Sequence, residues 1–346
     1  MNPFPCDFSS DTQTRPSQAM REAMARAEVG DEQKREDPTV NRLQEMVADL
    51  TGKQAALFLP TGTMCNLIAH AIHCRPGDEI IAEASTHPVH FEGGGPAVHS
   101  RASLRLIDTA TGIFTAAQVE AAIRPDDPHF PKTRLVCVEN THNLKGGRVW
   151  PLDAVRDVAA CARKHGLLLH LDGARLLNAV VASGVAASAY CEPFDSCWID
   201  LSKGLGCPVG AVLAGNREFI AQAWRYKHLF GGAMRQAGII AAAGVYALEH
   251  NVERLAEDHA KAKALAHGLA EIKGIAVDLD AVETNIVVFD IAGTCVPRAE
   301  FLQRLAKQGV RFSGLMKPTQ LRAVTHLDIQ PDGVDRALAA VRALFE

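Results

Sequence analysis

Short apolar runs alternate with longer amphipathic stretches through the first two thirds of the sequence. The run AALFLP leads into TGTMCNLIAHAI, and TRLVCVENTHN leads into LDAVRDVAACARKHG. The runs LLLHLDGAR, CWIDLSKG and AVLAG have the length and the boundaries of buried strands. A repeated order of strand, helix and strand predicts an α/β fold with a mainly parallel central sheet.

The pattern changes near Glu253. The segment ERLAEDHAKAKALAHGLAEI is typical of a charged amphipathic helix, shorter strands are predicted around TNIVVFDI and LRAVTHLDI, and GVDRALAAVRALF predicts a closing helix. These elements indicate a small α+β domain. We therefore expect a large domain over residues 15–252 and a small C-terminal domain over residues 253–346, with the N-terminal segment 1–14 near the functional site.

Composition and charge narrow the class of protein. Of the 346 residues, 47% are hydrophobic, and the net charge of −4 with no dense cationic patch gives no indication of nucleic-acid binding. The N-terminal stretch does not resemble a signal peptide, and no apolar run approaches the ~18 residues of a membrane helix. Nine cysteines without a C-x-x-C pair are typical of reduced thiols. We expect a cytoplasmic protein with no membrane or nucleic-acid partner.

Two predicted strand ends carry charged side chains. Asp172 and Arg175 follow the run LLLHL, and Lys203 follows CWIDLS. A lone loop lysine is ordinarily solvated, but a buried amine with a lowered pKa can attack an aldehyde. A carboxylate at the end of a buried strand needs a cationic partner. Because pyridoxal phosphate enzymes use an aspartate at the pyridinium nitrogen and a lysine at the aldehyde, this pair is a candidate cofactor site.

The stretch LPTGTMCNL puts Gly62 and Thr63 between a predicted strand and a predicted helix. Free backbone N–H groups and the helix dipole suit such a turn to a phosphate, although an ordinary N-cap by Thr61 or Thr63 explains the same residues. Neither a P-loop sequence nor a dinucleotide-binding glycine pattern occurs, which argues against a nucleotide site.

The stretch ASTHPVHFEGGG offers His87 and His90 ahead of a flexible glycine run. A structural role is the default for both histidines, and His87 could alternatively stack on a flat cofactor ring. We predict no metal site, because no set of carboxylates and histidines at zinc spacing accompanies them.

Taken together, these motifs resemble the low-specificity L-threonine aldolase family of pyridoxal phosphate enzymes. The resemblance covers nearly the whole chain and is carried by SSDTQTRPSQAM, EDPTVNRL, PTGTMCN, RPDDPHFPKTRLVCVENTHN, GGRVWPL, LHLDGARLLNA, LSKGLGCPVG, GGAMRQAGI and AVTHLD. It implies the aspartate-aminotransferase-like fold, or fold type I, with a mainly parallel seven-stranded sheet flanked by helices. It also implies cleavage of the Cα–Cβ bond of L-threonine, L-allo-threonine and related L-3-hydroxy amino acids to glycine and an aldehyde.

The resemblance assigns cofactor roles residue by residue. It implies that Lys203 forms the Schiff base with pyridoxal 5'-phosphate, that Asp172 pairs with the pyridine nitrogen and that His87 stacks on the ring. It further implies cofactor contacts, chiefly with the phosphate, by Gly62, Thr63 and Arg175. It implies one more such contact by Arg235 of a neighbouring subunit.

The resemblance also implies a site for the substrate carboxylate, formed by Ser10, Arg175 and Arg322, where a planar guanidinium suits a bidentate grip. His129 in DDPHF would lie near the substrate hydroxyl. The base that removes the hydroxyl proton stays open between His87, His129 and an ordered water. Because the family forms homotetramers with active sites at subunit interfaces, we expect the same assembly here.

One stretch departs from the family pattern. In VGDEQKREDP, Gln33, Lys34 and Arg35 stand where family members usually carry valine, tyrosine and glycine. This loop is either solvated and without a role, or it favours a charged 3-hydroxy amino acid through Lys34 or Arg35. Milder packing changes are expected from Ala233 and Ala323, where glycine and leucine are usual.

Three other functions are compatible with parts of the sequence. The first keeps the cofactor and changes the bond that is broken, as in β-elimination, racemisation or transamination. A non-catalytic module that binds pyridoxal phosphate is disfavoured because Lys203, Asp172 and the arginines are all present. A Rossmann-type nucleotide-binding protein is disfavoured because its glycine fingerprint is missing.

Overall fold

The computed structural model describes residues 4–345, and the strands of this part of the chain fall into three sheets. In chain order the strands are β1 (Cys6–Asp7), β2 (Ala55–Leu59), β3 (Glu79–Glu83), β4 (Ser103–Ile107), β5 (Thr133–Glu139), β6 (Leu168–Gly173), β7 (Ser196–Asp200), β8 (Ala211–Gly215), β9 (Ala276–Val277), β10 (Ile286–Asp290), β11 (Val310–Arg311), β12 (Ser313–Gly314) and β13 (Gln320–Val324).

The α-helices lie mainly between these strands, as a strand–helix alternation predicts. They are α1 (Gln18–Ala25), α2 (Pro38–Thr51), α3 (Gly62–His73), α4 (His87–His90), α5 (Ala116–Ala122), α6 (Leu152–Lys164), α7 (Leu176–Ser183), α8 (Ala187–Cys191), α9 (Arg217–Leu229), α10 (Gly238–His250), α11 (Leu255–Ala270), α12 (Arg298–Lys307) and α13 (Gly333–Arg342).

The largest sheet has seven strands in the order β2-β8-β7-β6-β5-β3-β4. All of them are parallel except β8, which runs antiparallel to both of its neighbours, β2 and β7. The predicted α/β fold with a mainly parallel seven-stranded sheet is therefore confirmed. The reversed strand has a physical reason: the link over residues 201–210 is shorter than the dozen or more residues that a parallel crossover needs.

Helices cover both faces of this sheet, and the alternation of side chains along β2 shows how. Phe58 belongs to an apolar core that includes residues of α2 and α10. Its neighbours Leu57 and Leu59 point to the other face and belong to a core with α3 and α9. Burial on both faces explains why the strands are continuous apolar runs rather than alternating ones.

The C-terminal part of the chain builds a second, smaller layer. Strands β12, β13, β10 and β9 form an antiparallel sheet, and its apolar side chains pack with those of α11, α12 and α13. This arrangement confirms the predicted small α+β unit. The boundary between residues 252 and 253 stays a prediction, since Leu255 still contributes to the core of the large sheet.

The N-terminal segment joins the two cores. Strand β1 pairs in parallel with β11, with Cys6 opposite Val310, and Phe8 enters the small core. A few residues further on, Asp11 is bound by Arg175 at the end of the large sheet. Residues 1–3 of the predicted segment 1–14 lie outside the described residues.

Two further observations concern the chain as a whole. No helix within residues 4–345 is long and apolar enough to cross a bilayer. All nine cysteines are unpaired, and most of them are buried, as small apolar side chains often are.

Candidate active site

Acidic residues end several strands of the large sheet at the same edge. Glu139 closes β5 and lies directly opposite Asp172 of β6 in the register of the two strands. Asp200 closes β7, the next strand. The carboxyl ends of parallel strands are where α/β sheets bind ligands, so this edge is the place to look for a site.

Asp172 is buried and has no cationic partner within ion-pair distance among residues 4–345. Its carboxylate accepts hydrogen bonds from Asn66 Nδ2 at 2.9 Å and from the Ala174 N–H at 3.0 Å. Burial, followed by the charge of Glu139, raises the pKa of Asp172 to about 6. A buried carboxylate without a cation of its own fits a ligand that brings a positive charge, such as a pyridinium nitrogen.

Lys203 lies in the loop after β7, but its amine is not free. Its Nζ atom lies 2.9 Å from Asp200 Oδ2 and 5.6 Å from the centre of the Trp198 ring. The other oxygen of Asp200 is held by the backbone and hydroxyl of Ser202. Trp198 lies directly opposite Asp172 in the register of β6 and β7, so the amine and the carboxylate predicted from the sequence lie at the same edge of the sheet.

His87 opens α4 and is held from two sides. Its Nδ1 atom lies 2.9 Å from Glu92 Oε1, and its backbone N–H donates to Glu139 Oε2 at 2.8 Å. Burial alone would lower the pKa of His87, but the hydrogen bond to Glu92 and the charge of Asp172 raise it. The side chain is 34% exposed, so part of the ring is accessible from outside the protein.

The turn before α3 is an ordinary helix N-cap as well as a possible phosphate site. The hydroxyl of Thr61 accepts a hydrogen bond from the Met64 N–H at 3.1 Å, which confirms the capping interpretation for that residue. A Cβ atom on Gly62 would lie 2.3 Å from the Trp198 ring, so only glycine fits. The N–H groups of Gly62 and Thr63 belong to the first turn, whose amides have no acceptor within the helix.

Arg175 follows the end of β6 in the large sheet, and Arg322 lies in β13 of the small sheet. Arg175 donates two hydrogen bonds to Asp11, at 2.8 and 2.6 Å, and both side chains are buried. Burial alone would raise the pKa of Asp11, but the Arg175 guanidinium holds it well below its usual range.

Arg322 is less completely matched. It donates to Asn143 Oδ1 at 2.6 Å and to the Ser9 carbonyl at 3.2 Å, while its buried Nε has no partner among residues 4–345. Burial and the charge of Arg175 lower the pKa of Arg322 to about 10. A half-buried guanidinium with one N–H left without an acceptor suits a carboxylate ligand. Ser10, next in the chain to Ser9, accepts hydrogen bonds from the backbone and hydroxyl of Thr12.

Two predicted site residues lie apart from this cluster in the single chain. His129 is 86% exposed, bonds to Asp127 and precedes the start of β5, whereas the site is at the far end of that strand. Arg235 is 63% exposed and pairs with Asp31 at 3.1 Å. Their predicted roles stay predictions.

The unusual loop forms a short 3₁₀ turn over Glu32–Lys34 that ends at Arg35, whose φ is 61°. Arg35 lies over the ring of Trp224, with its guanidinium carbon 5.4 Å from the ring centre. Beneath the turn, Glu32 and Lys227 form a buried ion pair. The loop is therefore anchored to α9 by its own chain.

Several residues of the site escape sequence reasoning. They share a role in holding the predicted residues and comprise Asp11, Asn66, Glu92, Glu139 and Asp200. One signal could have found Asn66, because it lies four positions after Gly62 and so shares a face of α3 with the phosphate turn.

Comparison with solved structures identifies the class of protein to which the fold belongs. The fold matches that of a threonine aldolase of Leishmania major with a TM-score of 0.85, covering 98% of this chain and 99% of that chain at 19% identity. It matches a putative L-allo-threonine aldolase of Listeria monocytogenes with a TM-score of 0.80, covering 98% and 96% at 20% identity. This architecture is fold type I of the pyridoxal phosphate enzymes.

Sequence comparison gives the family. The profile of the beta-eliminating lyases matches residues 7–292. The chain is 42% identical over 343 residues to the low specificity L-threonine aldolase of Escherichia coli strain K12, covering 98% of this chain and 99% of the relative. It is 34% identical to the alanine racemase TOXG of Cochliobolus carbonum, covering 89% and 81%. The chain belongs to the beta-eliminating lyase family, in the group of the low-specificity L-threonine aldolases, as the motifs predict.

Proposed function

We propose that this chain is a pyridoxal phosphate-dependent aldolase that cleaves L-threonine, L-allo-threonine and related L-3-hydroxy amino acids to glycine and an aldehyde. The observation that carries this proposal is a carboxylate without a cation, Asp172, at the same sheet edge as the amine of Lys203. The buried guanidinium of Arg175 belongs to a residue two positions after the end of β6, at the same edge of the sheet. One edge thus offers partners for a pyridinium, an aldehyde and a carboxylate.

Pyridoxal 5'-phosphate fits the chemistry of these residues. When bound, it would supply an aldehyde that bonds an amine and a pyridinium ring that accepts the electron pair of the broken bond. Lys203 would hold the aldehyde, and Asp172 would hold the ring nitrogen in its protonated form. The first-turn amides of Gly62 and Thr63 would hold the phosphate, and the partly exposed ring of His87 would lie against the cofactor ring.

The two arginines would orient the substrate. Arg322 has an unmatched Nε and could grip the substrate carboxylate, with Arg175 and Ser10 beside it. A carboxylate held at two points would fix the rotation about the N–Cα bond of a substrate whose amino group is also held, and so would leave its Cα–Cβ bond in one orientation.

The base that removes the hydroxyl proton is His87, His129 or an ordered water. In its neutral form, with Nδ1–H donated to Glu92, His87 would carry its lone pair on Nε2 and could accept a proton there; its raised pKa makes it a stronger base but leaves less of that neutral form. Its contact with the cluster favours His87, or a water beside it, over His129 within one chain.

We further propose a cytoplasmic homotetramer with active sites at subunit interfaces. The exposure of His129 and Arg235 supports this assembly, because a neighbouring copy could receive both side chains in its site. Size-exclusion chromatography with light scattering tests it, and a monomer that retains full activity would contradict it.

A second candidate function is β-elimination or racemisation of an amino acid with the same cofactor. The match to the beta-eliminating lyases and the 34% identity to an alanine racemase favour it. Product analysis separates the alternatives: glycine and an aldehyde indicate the aldolase, an oxo acid and ammonia indicate the lyase, and a D-amino acid indicates the racemase.

The deciding experiment compares the wild-type protein with Lys203→Ala. We expect the wild type, purified with the cofactor, to absorb in the visible region, and the variant to lose this band and the release of glycine from L-threonine. A wild-type protein with no cofactor band would overturn the proposal.

A further inference from the structure

A chain of hydrogen bonds runs from Asp172 through the sheet to the outer end of α3. Asn66 Nδ2 lies 2.9 Å from Asp172 Oδ2, and Asn66 Oδ1 lies 3.1 Å from His170 Nε2. His170 Nδ1 and His73 Nε2 each lie 2.7 Å from the hydroxyl of Ser196. We call the four side chains behind Asp172, namely Asn66, His170, Ser196 and His73, the buried relay.

The side-chain amide of Asn66 has a single possible orientation. The indole Nε1 of Trp198, which can only donate, lies 2.8 Å from Asn66 Oδ1. The other side of the amide faces two carboxylates, Glu92 at 2.7 Å and Asp172. The amide nitrogen therefore points at the carboxylates, and any other group bonded to Oδ1 must donate.

This orientation decides where the protons of the relay lie. His170 Nε2 faces Asn66 Oδ1, so it carries a hydrogen. Burial lowers the pKa of His170 well below its usual range and that of His73 to about 4, so both rings are neutral. A neutral His170 accepts at Nδ1 from the Ser196 hydroxyl, which in turn accepts from His73 Nε2.

Every donor of the relay thus points toward Asp172. Hydrogen bonds in such a chain polarise one another, and a donor aimed at a carboxylate favours its ionised form. Around Asp172, the charge of Glu139 opposes ionisation, whereas the charges of His87 and Lys203 favour it. Within residues 4–345, Asn66 is the one side chain that donates a hydrogen bond to Asp172.

We propose that Asn66 and His170 are positioning residues that keep Asp172 ionised and aimed at a protonated pyridine nitrogen. This role rests on the proposed function, since the cofactor supplies that nitrogen. Two buried imidazoles with a purely structural role could donate their hydrogen bonds in unrelated directions. The relay ends at Asp172, a carboxylate without an ion-pair partner among residues 4–345, while Asn66 also donates to Glu92.

The test compares His170→Phe and Ser196→Ala with His259→Phe in the full-length holoenzyme. His259 is also a buried histidine and lies 3.2 Å from an asparagine amide, that of Asn178, but it is not part of the relay. Two quantities are measured: the dissociation constant of pyridoxal 5'-phosphate, and the nitrogen-15 shift of cofactor labelled at the ring nitrogen as the pH is raised.

We expect His170→Phe to weaken cofactor binding about fivefold to tenfold and Ser196→Ala about twofold to fivefold, because each removes a link of the chain. In both variants the ring nitrogen should lose its proton at a lower pH than in the wild type. His259→Phe should keep the wild-type affinity and titration, even where its thermal stability falls.

Wild-type affinity and titration in the relay variants would overturn the proposal. Should His170→Phe not fold, Ser196→Ala decides alone, since it removes a single oxygen atom. Failure of the proposed function has a different signature, in which the wild type binds the cofactor with a protonated ring nitrogen but releases no glycine from L-threonine. A wild type that binds no cofactor overturns both proposals.

Discussion

Two buried aspartates of the site, Asp11 and Asp172, lie in opposite electrostatic surroundings. Asp11 is matched by two hydrogen bonds from the Arg175 guanidinium, and its pKa is held low. Asp172 is held by an amide and a backbone N–H, and its pKa is raised. Both carboxylates respond to the charge of Lys203, so the difference comes from their immediate partners.

This difference distinguishes charged groups whose partner lies within the protein from charged groups whose partner would be a ligand. The Asp11–Arg175 pair ties the N-terminal segment to the large sheet through Arg175 Nε and Nη2, and the charge of Asp11 is matched before any substrate binds. Among residues 4–345, buried Asp172 has no cation within ion-pair distance, and the buried Nε of Arg322 has no hydrogen-bond partner. Such groups cost folding free energy, and they are expected where a ligand supplies the missing partner.

The largest effect should follow from breaking the completed pair. Arg175→Met leaves Asp11 buried without its cation, which should lower the free energy of unfolding by about 3–5 kcal/mol. Urea unfolding of the cofactor-free protein measures it. The matched control is Arg342→Met, which removes an exposed ion pair with Glu271 and should cost less than about 1 kcal/mol. Equal losses in the two variants would refute the distinction between the pairs.

The next effect concerns the unmatched carboxylate. Asp172→Asn keeps the shape of the side chain but removes the charge that would stabilise a pyridinium, so kcat/KM for L-threonine should fall about 10²- to 10³-fold. Asp153→Asn, at an exposed position in the first turn of α6, should leave kcat/KM unchanged. Comparable activity in Asp172→Asn and the wild type would mean that this carboxylate does not serve the cofactor.

A third effect distinguishes the two aspartates by pH. Between its ordinary pKa of about 3.9 and about 6, Asp172 holds a proton in the folded state that the unfolded state has released. The free energy of unfolding of the cofactor-free protein should therefore fall by about 2–3 kcal/mol as the pH rises through this window. Asp11 acts in the other direction, since its contribution is present above its ordinary pKa and is lost on acidification.

Denaturant unfolding across this window tests the contrast, with Asp172→Asn as the reference. The variant should lack the decline, because it has no proton to release at this position. Parallel profiles for the wild type and the variant would show that Asp172 is not the group that titrates.

The sequence predicts the cofactor half of the site better than the substrate half. Asp172 and Lys203 follow strand-like runs, and the carboxyl ends of such strands meet at one edge by the rules of parallel sheets. Asp11, by contrast, is 164 positions away from Arg175 and belongs to no strand or α-helix. Nothing in the local pattern marks it as the partner, because pairing across that distance is decided by the packing of the small domain.

The supporting residues and the reversed strand escape prediction for the same reason. The spacing of Asn66 from Gly62 places it on the face of α3 that carries the phosphate turn, but its contact with Asp172 spans 106 positions and is not visible in the sequence. The direction of β8 depends on the length of the link over residues 201–210, which holds the lysine loop instead of a helix. Apolar periodicity identifies β8 as a strand but carries no information about its direction.

The smallest effect should come from the loop that departs from the family pattern. Arg35→Ala removes an exposed contact with the Trp224 ring and should lower the free energy of unfolding by about 0.5–1 kcal/mol. Lys34→Ala is the matched control and should change it by less than about 0.5 kcal/mol. Because Arg35 is packed on its own chain, we expect both variants to keep the wild-type ratio of rates on L-threonine and an acidic 3-hydroxy analogue. A ratio that shifts against the acidic analogue would instead support the hypothesis that this loop selects charged substrates.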